Sequence, residues 1–128
     1  MTKTHFTESL PRKRMAADCL IMDQSGRLLV LKPPYKGTWD LPGGVIEEDE
    51  SPWAAARREV REEIGLAVDP GRLLAVDWIA RSGDFTEVIA FLFDGGMIMP
   101  EAIERLVVQP AEVTTFRFVS PDEAGPPP

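Results

Sequence analysis

The sequence predicts a mixed β-sheet built around one dominant helix, in the α/β or α+β class, and three observations carry that expectation. Two stretches, roughly residues 15–32 and 72–94, each read as apolar run, turn, apolar run, the pattern of a β-hairpin. Between them lies one strongly marked helix, expected at about 52–64. Paired strands around a single strong helix imply a sheet with strands of mixed direction. No internal repeat or long linker divides the 128 residues, so residues 1–128 read as one domain, large enough to bury a core without disulfide staples.

The elements follow in chain order. The opening "MTKTHFTESLPRKRMA" has basic residues but no apolar run behind them, so it is not a secretory signal, and it is expected to be a loose end carrying the lone His5. "MAADCLIMD", the turn "QSG" with Gly26, and "RLLVLK" form the first hairpin. Cys19 lies inside its first strand and is expected to be a small buried side chain rather than a nucleophile. A single cysteine excludes an internal disulfide framework and fits a reducing cytoplasm, and no apolar run approaches the roughly 20 residues of a membrane span.

"PPYKGTWDLPGG" is a loop dense in proline and glycine. Ser51 then caps the helix, Pro52 suits its first position and Gly65 stops it. "RLLAVDWIAR", "SGD" and "TEVIAFLFD" give the second hairpin, with Trp78 expected in the core. "MPEAIERLVV" reads as either a short helix or an irregular crossing segment. "TTFRFV" at 114–119 is the final strand, and "SPDEA" begins a helix, with Ser120 and Pro121 at its start, that the closing "GPPP" cuts short.

The net charge of −7 is unevenly spread: residues 1–43 carry +3, residues 44–66 carry −4 and residues 67–128 carry −6. An acidic chain without a continuous basic surface is a poor fit to long nucleic acid. It does leave Arg27, Lys32 and Lys36 in the N-terminal third to meet a small anion.

The helix poses an electrostatic question. At about 100° per residue, Glu59, Glu62 and Glu63 share one flank, while Trp53, Ala56, Val60 and Ile64 form an apolar stripe for the core. A merely solvated face would place glutamates four residues ahead of basic residues. Instead Glu59 and Glu63 form a like-charge pair at that spacing, costing roughly 0.2–0.5 kcal/mol, and Arg58 precedes Glu62 in the weaker order. A solvated surface and a cation site are both open on this pattern alone. Converging carboxylates are what a hard divalent cation such as Mg2+ takes, and such a cation suggests a phosphate-bearing partner.

The wider segment "GVIEEDESPWAAARREVREEIGL" resembles the box of the Nudix hydrolase family. That box is a glycine, five residues, a glutamate, seven residues, then Arg-Glu-apolar-x-Glu-Glu-x-Gly-apolar. Gly44, Glu50, Arg58, Glu59, Val60, Glu62, Glu63, Gly65 and Leu66 match its nine specified positions over 23 residues, and "WDLPGG" resembles the usual entry to it. The resemblance implies an α/β/α sandwich around a central mixed sheet, with the C-terminal helix short or missing here. It also implies Mg2+- or Mn2+-dependent pyrophosphate cleavage in a nucleoside triphosphate or a nucleoside diphosphate linked to another group, by in-line attack of metal-activated water.

Carried over residue by residue, Glu59, Glu62 and Glu63 are the implied metal ligands, with the backbone carbonyl of Gly43 as another. Arg58 would orient the glutamates, and Glu62 or Glu63 would double as general base. Gly44 and Gly65 would permit backbone turns at either end of the box, and Glu50 would fix the loop.

Two departures stand against the pattern. Many relatives have an acid before the aromatic of the final strand where this chain has Thr115, with Glu87 and Glu112 as weak substitutes. The C-terminal helix is nearly absent, so either the chain is a shortened one or a partner subunit covers that face, as in a homodimer. These departures keep a second reading in view, a catalytically weak nucleotide sensor. Subfamily marks for ADP-ribose, diadenosine polyphosphate, coenzyme A and NADH substrates are not matched, which leaves a nucleotide of unassigned type. Lys32, Lys36, Trp39 and Arg81 are the candidate substrate contacts, with packing or plain surface charge as the alternative for each; Tyr35 and Phe85 are further candidates to stack on a base.

Overall fold

The computed structural model describes residues 2–34, 37–109 and 115–122. Tyr35, Lys36, Glu112 and the residues after 122, on which parts of the sequence reading fall, lie outside them. The fold is α/β, with a mixed, open six-stranded sheet. Its elements are α1 (Lys3–Glu8), β1 (Arg14–Met22), β2 (Leu28–Lys32), β3 (Gly43–Val45), α2 (Pro52–Ile64), β4 (Leu73–Ile79), β5 (Val88–Met97), α3 (Pro100–Glu104) and β6 (Thr115–Val119).

Strand β1 is the centre of the sheet. Along one edge it pairs in parallel with β5, which in turn pairs antiparallel with the edge strand β4. Its other edge is shared: β2 meets it at Met22–Leu28, while β3 pairs with Ala16, Ala17 and Asp18. Strands β2 and β6 then run antiparallel over five residue pairs. The alternation of β1 sends Ala17, Cys19 and Ile21 to the core, where they meet Ala55, Ala56, Val60 and Ile64 of α2. Asp18, between them, is only half-buried and looks to the opposite face.

Both hairpins and the helix occur where the residue pattern places them. The 97–108 segment resolves into a short helix, α3, followed by irregular chain packed on the same core. Three expectations are corrected. The N-terminus has local structure that the sequence reading did not give it: residues 3–8 form a short, exposed helix, capped where the Thr2 hydroxyl accepts from the His5 N–H at 3.0 Å.

Trp53 does not join the buried stripe of α2. It is 41% exposed and its indole N–H donates to the Pro70 carbonyl at 2.6 Å, while Ala55 takes the buried place. Two adjacent alanines let the helix backbone sit close to the sheet, and the bulky ring in the first turn is pushed to the rim. Trp78 is not in the core either. It is 58% exposed on the edge strand β4 and donates to Glu87 Oε1 at 2.7 Å. An apolar strand at a sheet edge has the same residue pattern as a buried one, so composition alone did not separate them.

Candidate active site

The box folds as a short strand, a turn and a helix, and each part is fixed by its own residues. The Ser51 hydroxyl accepts from the Ala54 N–H at 3.1 Å and Pro52 starts the helix, while Gly65 ends it in the left-handed conformation at φ 72°. Ahead of the helix, the Glu47 N–H donates to Glu50 Oε1 at 3.1 Å and Asp49 takes a positive φ of 60°, closing a tight turn.

Arg58 ties this turn to the helix. Its guanidinium donates to both Glu50 oxygens, at 2.8 and 2.9 Å, to the Val45 carbonyl at 3.0 Å, and through Nη1 to Glu59 at 3.0 Å and Glu62 at 3.1 Å. The forked geometry satisfies one planar cation with four acceptor groups. The Arg58 hydrogen bonds, followed by the Glu47 N–H, hold the Glu50 carboxyl down at about 2. Arg58 is raised in turn, chiefly by Glu50, so this pair is charged throughout the physiological range.

Two glycines give the carboxylates their places. The Gly43 N–H donates to Glu63 Oε1 at 2.7 Å. Gly43 itself lies against β1 at φ 150°, where any Cβ would collide with Asp18 Oδ1 and the Ala17 carbonyl. Gly44 needs no unusual backbone angle, so its value is space rather than the turn expected of it. A Cβ there would stand 2.6 Å from the Glu59 carboxyl carbon and 2.7 and 2.9 Å from its oxygens. Beside them, burial first and then the charges of Asp18 and Glu63 push the Cys19 thiol up to about 11, so it stays protonated and unreactive.

These residues face a cleft of about 630 Å³. Gly43, Gly44, Glu59 and Glu63 line it together, with Asp18 and Asp40 beside them, and Arg14, Ile79, Phe85 and Thr86 form the other side. Glu62 does not line the cleft: it sits at its back on Arg58 and its side chain is 46% exposed. Lys32 and Trp39 are not among the lining residues, and Arg117 lies over the Trp39 ring at 4.4 Å, a cation–π contact. Arg81 and Glu87 line a smaller hollow that adjoins the cleft, where Glu87 is engaged by Lys13 at 2.7 Å.

Asp18, Asp40 and Arg14 were not singled out from the sequence. Asp18 carried a usable signal, a charge in the middle of the otherwise apolar run 15–22, a position no interior strand tolerates without a reason.

Among the described residues, no three acidic, histidine or cysteine side chains stand together as a ready-made metal cage. The donor chemistry nevertheless fits a hard divalent cation. The carboxylates of Glu59 and Glu63 bring oxygen donors to the cleft wall, and the like-charge pair on α2 gains from a cation between its members.

The NUDIX domain family pattern matches residues 12–128. This chain belongs to the Nudix hydrolase family. The Nudix chain is 32% identical to a MutT-like protein of Streptomyces ambofaciens over 125 residues, which is 98% of this chain and 75% of that protein. It is 41% identical over 76 residues to diphosphoinositol polyphosphate phosphohydrolase 2 of Rattus norvegicus, 59% of this chain but only 42% of that protein. Among solved structures, the MutT protein of Methanosarcina mazei Go1 superposes with a TM-score of 0.75 at 29% identity, covering 90% of this chain and 83% of that one. As a Nudix hydrolase the chain is an enzyme, and among its described residues no helix is long and apolar enough to cross a membrane.

Proposed function

We propose that this Nudix hydrolase is a Mg2+-dependent pyrophosphohydrolase, with Mn2+ as an alternative ion. Its substrate is a nucleoside triphosphate or a nucleoside diphosphate linked to another group. The observation that carries this reading is the pair Glu59 and Glu63 facing one cleft beside Gly43, in a turn–helix unit locked by Arg58.

Glu59, Glu63 and the Gly43 carbonyl would hold the cation, with Glu62 as the third carboxylate of the set. The ion, when bound, would neutralise charge on phosphate oxygens and make a bound water more acidic. The chain's own residues do the positioning. Arg58 keeps Glu59 and Glu62 extended, and the Gly43 N–H keeps Glu63 at the cleft wall, so the site is organised before substrate arrives. Glu62 or Glu63 would accept the proton of the attacking water; Glu63 lines the cleft with one oxygen held by the Gly43 N–H. In-line attack on phosphorus then needs little beyond orientation and charge balance.

A diphosphate borne on a phosphorylated inositol, the compound class in the printed name of the mammalian relatives, contains the same anhydride. It is the second reading, favoured by the 41% identity over 76 residues. A panel of these compounds incubated with Mg2+, with phosphate products resolved by chromatography, tests the proposal. Cleavage at an anhydride linkage is expected, and binding of a compound without turnover of any of them would sink the enzyme reading in favour of a sensor.

A further inference from the structure

Next to the cleft lies a second hollow, of about 430 Å³, with a different lining. Arg12, Lys13, Arg14 and Arg81 supply four positive charges, and Glu87 supplies one negative charge, leaving three positive charges around one small volume. That excess occurs in a chain whose net charge is −7, so it is not a sample of the average surface. Thr86 completes the lining, and no aromatic ring contributes to it.

The hollow adjoins the cleft, with Arg14 and Thr86 lining both. Arg14 is fixed there: its Nε donates to the Thr86 hydroxyl at 2.9 Å and its Nη2 to the Thr86 carbonyl at 2.7 Å. Both bonds use one edge of the guanidinium, leaving Nη1 for another acceptor. Lys13 is held by Glu87, whose carboxyl is lowered first by Lys13 and then by the Trp78 N–H, and which therefore stays charged as an anchor. Arg81 stands close enough to Glu87 for its charge to help lower that carboxyl, and Arg12 joins it in the lining.

We propose that this hollow is a subsite for phosphate groups of the substrate remote from the anhydride that is cleaved, with Arg12, Arg14 and Arg81 as its contacts. It rests on the anhydride reading above and narrows it to substrates that carry more phosphate than the linkage itself requires. Guanidinium groups bind phosphate oxygens in pairs, and the excess positive charge attracts a polyanion that the acidic remainder of the chain would repel.

The test compares two substrates that share a scissile anhydride and differ in one further phosphate, such as a nucleoside triphosphate and the corresponding tetraphosphate. In Arg12→Ala, KM for the longer compound should rise about fivefold, while kcat and the KM of the shorter compound change less than about twofold. Glu87→Gln removes the one anion and should move the KM of the longer compound the opposite way. Equal effects on both substrates, or no effect on either, overturn the subsite.

If no compound is turned over, calorimetric titration with inorganic tripolyphosphate in the absence of metal decides the point separately. Binding by wild type that weakens at least about fivefold in Arg12→Ala supports the subsite while the hydrolase reading fails. Equal binding by both proteins, or none by wild type, removes it.

Discussion

Replacing Gly44 with alanine should separate the metal site from the fold. The new Cβ would stand 2.6–2.9 Å from the three carboxyl atoms of Glu59, closer than real side-chain contacts allow. What it meets is the tip of a side chain rather than backbone, so the chain relieves the clash by swinging Glu59 out of the cleft. No strand register changes and no buried apolar contact is lost, so stability should stay within about 1 kcal/mol of wild type. The displaced carboxylate is one of the two lining the cleft from α2, and a misplaced ligand of this kind lowers metal affinity by about 10–100-fold. Mn2+ titration followed by electron paramagnetic resonance, alongside thermal melting, reads both quantities. Unchanged Mn2+ affinity would show that Glu59 does not hold the ion, and a collapse of the melting temperature would show that the cleft is part of the core.

The neighbouring substitution Gly43→Ala should behave in the opposite way. Its Cβ meets the β1 backbone at a φ of 150°, so the β1–β3 pairing opens at a cost of about 1–3 kcal/mol from the backbone conformation alone, visible in denaturant unfolding. The Glu50–Arg58 pair predicts a pH signature. A carboxyl lowered from 4.5 to about 2 contributes stability that is present above about pH 4.5 and is lost as pH falls through about 2. Glu50→Gln should therefore flatten the decline of melting temperature between these values, and an unaltered acid limb would refute the pairing. Cys19, buried and with its thiol raised to about 11, should react with a disulfide reagent at pH 8 only after denaturation. Rapid labelling of the native protein would contradict its placement.

The parts of the fold legible in the sequence are those set by local chemistry. The bounds of α2 are written in Ser51, Pro52 and Gly65, and the first hairpin in the turn at Gly26, which has a φ of 77°. What was not legible depends on partners distant in sequence. Trp78 is apolar in an apolar strand, and only the sheet order, which puts β4 at the edge, exposes it.

The site divides in the same way. Glu59 and Glu63 follow from spacing along one helix, and the structure sets them in one cleft. Glu62, three positions from Glu59, is turned towards Arg58 because the guanidinium reaches both carboxylates from behind. Asp18, Asp40 and Arg14 come to the cleft from β1 and from the loop before β3, a convergence that no single segment records.

In the proposed function the carboxylates of α2 would hold a cation that supports hydrolysis of a phosphoanhydride by water. The most direct measurement is Mn2+ binding and Mg2+-supported turnover in the same preparations of wild type, Glu59→Gln and Glu63→Gln. Each variant should stay folded, bind Mn2+ at least about tenfold more weakly and lose about 100-fold or more in kcat/KM. Folded variants that keep wild-type affinity and turnover would contradict it.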